Sequence, residues 1–157
     1  MTEPLDPLRL PLRGSVLIEA SAGTGKTWTL AALVLRLVLG HGEVVRHPDG
    51  RPLMPRDILV MTFTRAATRE LNDRIRARLA QAAACFRGLA EPRADDGLLR
   101  ALRDAVGEGA AREAAAFVLA QAAESMDEAA IHTLDAWCQR MLREHAADGL
   151  GSQPAEV

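Results

Sequence analysis

The stretch EASAGTGKTWTL (residues 19–30) puts a glycine-bearing turn between an apolar run and a segment of helical period. Ala20, Ser21, Ala22, Gly23, Thr24, Gly25, Lys26 and Thr27 fit the phosphate-binding pattern G-x-x-x-x-G-K-[ST], except that Ala20 stands where the pattern has glycine. Such a loop works when it leaves a strand and enters a helix, because its amides and the positive helix end then face one anion. Lys26 is the only lysine among 19 Lys and Arg residues. A compact ammonium on a flexible stem reaches between β- and γ-phosphates, where the wide, planar guanidinium is a poorer fit. Lys26 and Thr27 are therefore the candidate catalytic pair, with the Thr27 hydroxyl the candidate ligand for Mg²⁺ on a bound nucleotide, and the motif alone does not choose among kinases, GTPases, motors and helicases.

The flanks agree with the loop. Val16, Leu17 and Ile18 read as a buried strand. From Lys26 to Leu39 the apolar positions Leu30, Leu33, Val34, Leu37 and Val38 follow helical spacing, and Gly40 ends the run. Residues 40–56 are rich in Gly and Pro and read as a loop, with a turn at Pro48, Asp49 and Gly50. The apolar run Asp57–Phe63 reads as a strand buried on both faces. It precedes a helix capped by Thr62 or Thr64, with Ala67, Leu71, Ile75 and Leu79 on its inner face. Residues 97–106 and 110–124 read as alanine-rich helices separated by Gly107 and Gly109. Ala130–Thr133 reads as a third strand, and 134–147 as a final helix.

Repeated strand-then-helix order predicts one α/β domain with a parallel sheet. Its parts are an extended proline-bearing arm (1–14), a phosphate-loop core (15–86), a helical segment (87–130), a strand–helix motif (131–147) and a tail (148–157). With 48% hydrophobic and 25% charged residues the composition is that of a globular protein. A net charge of −2 supplies no global field for nucleic acid. The N-terminus lacks the basic-then-apolar order of an export signal and no run is long enough to span a bilayer, so a cytoplasmic protein is expected. Cys85 and Cys138 have no metal-type spacing and read as two buried, reduced thiols.

At the end of the second strand, Thr62, Phe63 and Thr64 should share an edge with the phosphate loop, continued by Arg65 and Arg69. Hydroxyls, an aromatic ring and arginines suit single-stranded DNA. Alternatively, and preferably when the stretch is taken alone, Phe63 reads as a core residue and the arginines as a solvated face paired with neighbours such as Glu70 and Arg74.

Four segments, LDPLRLPL (5–12), LIEASAGTGKT (17–27), VMTFTRAATREL (60–71) and MDEAAIHTLDAWCQRML (126–142), resemble in order and spacing the helicase–nuclease subunits of bacterial exodeoxyribonuclease V. These form the RecB branch of the UvrD-like superfamily-one helicases. The resemblance implies a RecA-like, P-loop motor domain that binds ATP and Mg²⁺ and tracks on single-stranded DNA from DNA ends. Thr62, Phe63, Thr64, Arg65 and Thr133 would then lie along the strand, and the other exodeoxyribonuclease V subunits would be partners. The chain departs from the family in reading Asp135, Ala136, Trp137 where His-Gly-Phe is usual, with His132 a surface residue or a partial substitute and Trp137 a core aromatic. It also has no glutamine before Gln81 to read adenine. An acidic pair for Mg²⁺ is missing: Asp127 and Glu128 read as solvated or capping residues, Asp95 and Asp96 as loop residues. The resemblance therefore implies the N-terminal part of a longer motor, unable to turn over ATP alone. A small phosphate-loop kinase and a non-catalytic assembly module are the alternatives.

Overall fold

The computed structural model describes residues 4–19, 25–42 and 46–149. Ala20, Ser21, Ala22, Gly23 and Thr24, and the tail from residue 150, lie outside them. The elements are α1 (Gly25–Leu39), β1 (Val60–Thr62), α2 (Arg65–Phe86), α3 (Gly97–Val106), α4 (Ala110–Glu124), β2 (Ile131–Thr133) and α5 (Leu134–Gly149), with single 3₁₀ turns at Pro55–Asp57 and Met126–Glu128. β1 and β2 pair in parallel, Val60 opposite Ile131 and Thr62 opposite Thr133. A parallel pair needs a long crossover, and α2, α3 and α4 supply it.

That crossover is the core. α2 presents Leu71, Ile75, Leu79 and Ala82 at helical spacing, α4 presents Ala116, Leu119 and Ala122, and α1 adds Leu35 and Val38, all buried. Alanines at the contacts let the helix axes approach closely. Leu98, Leu99 and Leu102 of α3 and Met126 complete the cluster. The 97–124 helices are thus a wall of the domain rather than an appended segment. No helix among the described residues is long and apolar enough to cross a membrane.

Capping explains several boundaries. The Thr64 hydroxyl accepts from Ala67 N at 3.0 Å to start α2. Asp96 accepts from Leu99 N at 3.1 Å to start α3, while its carboxylate pairs with Arg78. That guanidinium, more than any other neighbour, holds the Asp96 carboxyl below the ordinary carboxylate value. Asp96 is therefore a structural residue, and Asp95 is exposed beside Arg93. Gly107 ends α3 at φ 88°, a conformation that side-chain-bearing residues avoid.

Several expectations are corrected. Residues 16–18 form no strand: Val16 is exposed and Leu17 is 84% exposed. A strand needs a ladder partner for its N–H and C=O groups, and among the described residues β1 and β2 pair only with each other. For the same reason the second strand is shorter than Asp57–Phe63, with Leu59 and Met61 exposed rather than covered on both faces. The arm is not extended. Asp6 folds residues 6–10 into a turn, its Oδ1 accepting from Leu8 N at 3.0 Å and its carbonyl from Arg9 N and Leu10 N. Ala67 is exposed, because α2 turns it away from α1 and α4. Cys85 is buried but Cys138 is exposed, since α5 packs through its first turns against the strand ends and leaves the rest of its surface in water. Trp137 is half-buried and outside the core.

Candidate functional site

Two strand-to-helix junctions lie side by side. Because Thr62 and Thr133 are in register, the carboxyl ends of both strands reach the same edge, and each runs almost directly into a helix. Thr133 Oγ1 accepts from Ala136 N at 3.2 Å, which repeats on α5 the cap that Thr64 makes on α2. Both helix N-termini, with their partial positive charge, meet this edge.

Around the first junction the threonines hold one another. Thr62 Oγ1 and Thr68 Oγ1 are 2.6 Å apart, and each hydroxyl lies 3.2 Å from the Thr64 carbonyl. Their geometry fixes the turn and leaves Phe63 with nowhere to go but outward, at 91% exposure. The choice between a core Phe63 and an outward one is settled by this bend. The side chains of Arg65 and Arg69 are exposed and make no hydrogen bond or ion pair among the described residues. Glu70 pairs with Arg74 at 3.4 Å, leaving the Arg65 and Arg69 side chains without a carboxylate among the described residues. Between the junctions lies a cavity of about 460 Å³ lined by Arg65, Thr68, Arg69, His132 and Thr133. His132 is half-buried in that wall. Asp135 occupies the first turn of α5, where a carboxylate offsets the helix dipole, so its presence has a local cause.

The N-terminal end of α1, where the loop motif enters the helix, is only partly described. Gly25, Lys26 and Thr27 form its first turn, with Lys26 exposed and Thr27 half-buried. That turn carries no acidic residue, so nothing within it offsets the positive helix end. Thr29 Oγ1 donates to the Gly25 carbonyl at 2.7 Å, bracing the turn from within. Beside it runs a groove of about 350 Å³ lined by Thr27, Trp28, Arg74, Arg78 and Gln81 among others. Gln81 accepts from Arg78 at 3.0 Å. Among the described residues no group of three or more His, Cys, Asp or Glu is placed to hold a metal. Asp127 and Glu128 are exposed in a 3₁₀ turn, Glu128 meeting Arg56 at 3.4 Å.

Sequence reading passed over Trp28, whose signal was an aromatic directly after the loop in a chain only 3% aromatic. It also passed over Thr68, which became legible only once Thr62 stood beside it.

The sequence profile of the UvrD/REP helicase N-terminal domain matches residues 2–153. The chain belongs to the UvrD/REP helicase N-terminal domain family. Within that family it is similar to the RecBCD enzyme subunit RecB of Escherichia coli (strain K12), 48% identical over 147 residues, which is 93% of this chain and 12% of that protein. RecB of Haemophilus influenzae is 42% identical over 150 residues, 92% of this chain and 12% of that protein. RecB of Mycobacterium tuberculosis (strain ATCC 25618 / H37Rv) is 33% identical over 151 residues, 94% of this chain and 12% of that protein. The chain thus spans about an eighth of the length of these relatives. Membership of a helicase family sets aside the small-kinase alternative.

Proposed function

We propose that this chain is the N-terminal part of the ATP-binding motor domain of a RecB-like DNA helicase, with a RecA-like phosphate-loop fold. Ala20–Thr27 would cradle the nucleotide phosphates, Lys26 neutralising their charge and the Thr27 hydroxyl holding Mg²⁺. Bound there, ATP with Mg²⁺ supplies the phosphoryl transfer that powers movement. The chemistry of the first turn of α1 fits such a group: an exposed ammonium, a hydroxyl and no carboxylate of its own.

The DNA side carries the reading furthest. Phe63 is held out of the core at the shared strand edge, with Arg65 and Arg69 beside it and Thr133 on the neighbouring strand. An exposed ring flanked by cations is the arrangement that stacks a base while holding the backbone phosphates. Thr64 and Thr133 accept backbone N–H bonds as caps, leaving each hydroxyl hydrogen available to a phosphate oxygen. In the whole protein this site would serve a helicase–nuclease that loads at DNA ends and assembles with the other exodeoxyribonuclease V subunits, as the RecBCD names of its relatives support.

Titration of the chain with a fluorescent ATP analogue in Mg²⁺ tests the nucleotide half. Lys26→Ala should weaken binding about tenfold or more, the worth of a charge-assisted bond. Equal binding by the wild type and Lys26→Ala would sink it.

A further inference from the structure

Arg36 breaks the most apolar run of the chain, and the helix still carries it inward at 3% exposure, among Val34, Leu35 and Val38. A guanidinium in such a place is tolerated only when its donors are used. Arg36 Nη1 donates to the carbonyls of Pro7 and Leu10, each at 2.7 Å. Its Nε donates to His41 Nδ1 at 3.2 Å. Gly42, at φ +83°, lies close against the group: a Cβ there would lie 3.0 Å from Arg36 Nη2.

Both carbonyls belong to the N-terminal arm. Among the described residues, the hydrogen bonds that join residues 4–19 to α1 are these two. Pro7 is buried under them and Leu8 packs on the core. The chain then runs through exposed residues 13–17, with no strand partner among the described residues, toward the segment that enters α1 at Gly25. The arm is thus fastened to the same helix whose first turn carries Lys26 and Thr27. Arg36 lies eleven positions after Gly25, about 16 Å along the axis at 1.5 Å per residue.

We propose that Arg36 is a positioning residue for nucleotide binding: by holding the arm on α1 it presets the path of the chain toward the phosphate end of that helix. This rests on the nucleotide reading above. Arg36 is too far along the helix to touch a phosphate, so its effect is on population. If releasing the arm leaves the competent arrangement in about a tenth of molecules, the apparent Kd rises about tenfold with the contacts to nucleotide unchanged. The guanidinium is required because its fork serves the arm and His41 together, which an ammonium cannot do.

The test uses the whole chain as wild type, Arg36→Met, Arg36→Lys and Lys26→Ala. Hydrogen–deuterium exchange is read at Leu8, Arg9 and Leu10, and affinity with a fluorescent ATP analogue in Mg²⁺. Arg36→Met keeps apolar volume in the core and removes the bonds. It should speed exchange at the three arm amides, leave α2 and α4 as protected as in the wild type, and raise Kd about tenfold, with Arg36→Lys in between. If Arg36→Met does not fold, Arg36→Lys carries both readouts. Arm amides that stay protected would overturn the latch. A released arm with unchanged Kd would overturn its role in binding. A wild type that binds no nucleotide, like Lys26→Ala, would overturn the nucleotide reading and the binding role together, while exchange would still decide whether Arg36 holds the arm.

Discussion

Replacing Asp57 by asparagine tests how the chain is delivered into β1. Asp57 closes the 3₁₀ turn Pro55–Asp57 just ahead of the strand. Its carboxylate accepts from Met54 N at 2.9 Å and from both terminal nitrogens of Arg51 at 2.7 and 2.9 Å. The pair is sheltered, with side-chain exposures of 31% for Arg51 and 13% for Asp57. The hydrogen bonds from Arg51, outweighing the opposing effect of burial, lower the Asp57 carboxyl from 3.8 to about 2. At 1.36 kcal/mol per pH unit, a shift of that size is linked to roughly 2 kcal/mol of stability. Because the folded value lies below the unfolded one, this stability is complete above about pH 4 and is lost as the pH falls through about 2. Asp57→Asn should therefore cost about 2 kcal/mol at pH 7, lowering the urea midpoint by roughly 1 M at the m-values usual for this size. Urea unfolding followed by far-ultraviolet circular dichroism at several pH values measures both effects. A variant with the wild-type midpoint at pH 7, or with an equally steep loss of stability between pH 4 and 2, would refute the reasoning.

Three further outcomes are expected. Phe63→Ala should leave the unfolding midpoint within about 0.5 kcal/mol of wild type, the side chain being almost wholly in water. It should nevertheless weaken binding of an oligothymidylate by roughly 1–3 kcal/mol in fluorescence anisotropy, and unchanged affinity would remove Phe63 from the DNA path. Leu119→Ala empties a fully buried site where α4 meets the core and should cost about 2–5 kcal/mol in chemical denaturation; a smaller loss would mean that α4 is not a wall of the core. His41 has its pKa lowered from 6.5 by burial and by the Arg36 charge. Folding then disfavours the protonated ring, so stability should fall as the pH drops through 6.5 toward the lowered folded value. The urea midpoints of wild type and His41→Gln at pH 7.5 and 5.5 check this, the variant showing the smaller fall.

Signals that act within a few residues were legible from the sequence. Gly107 and Gly109 bound α3 and α4 at the expected residues, and the cap of α2 was narrowed to Thr62 or Thr64, of which the structure uses Thr64. The order of motifs placed the chain among the helicases through a chemistry of neighbours, Lys26 beside Thr27 and Phe63 between two threonines.

Properties that depend on what lies across the fold were not legible. The apolar content of Val16–Ile18 made it strand-like, yet a strand exists only where another backbone takes up its hydrogen bonds. Cys138 read as a buried thiol, and Phe63 as either a core residue or a base-stacking one, until the packing of α5 and the Thr62–Thr68 pair turned both outward. Arg36 looked like an interruption, and only the arm folded over α1 gave its donors their acceptors. The sequence by itself determined the helices and the family, because propensity and motif spacing are local or nearly so. Tertiary structure alone decided which apolar side chains are covered and which polar ones are paired, because burial and hydrogen bonding belong to two surfaces at once.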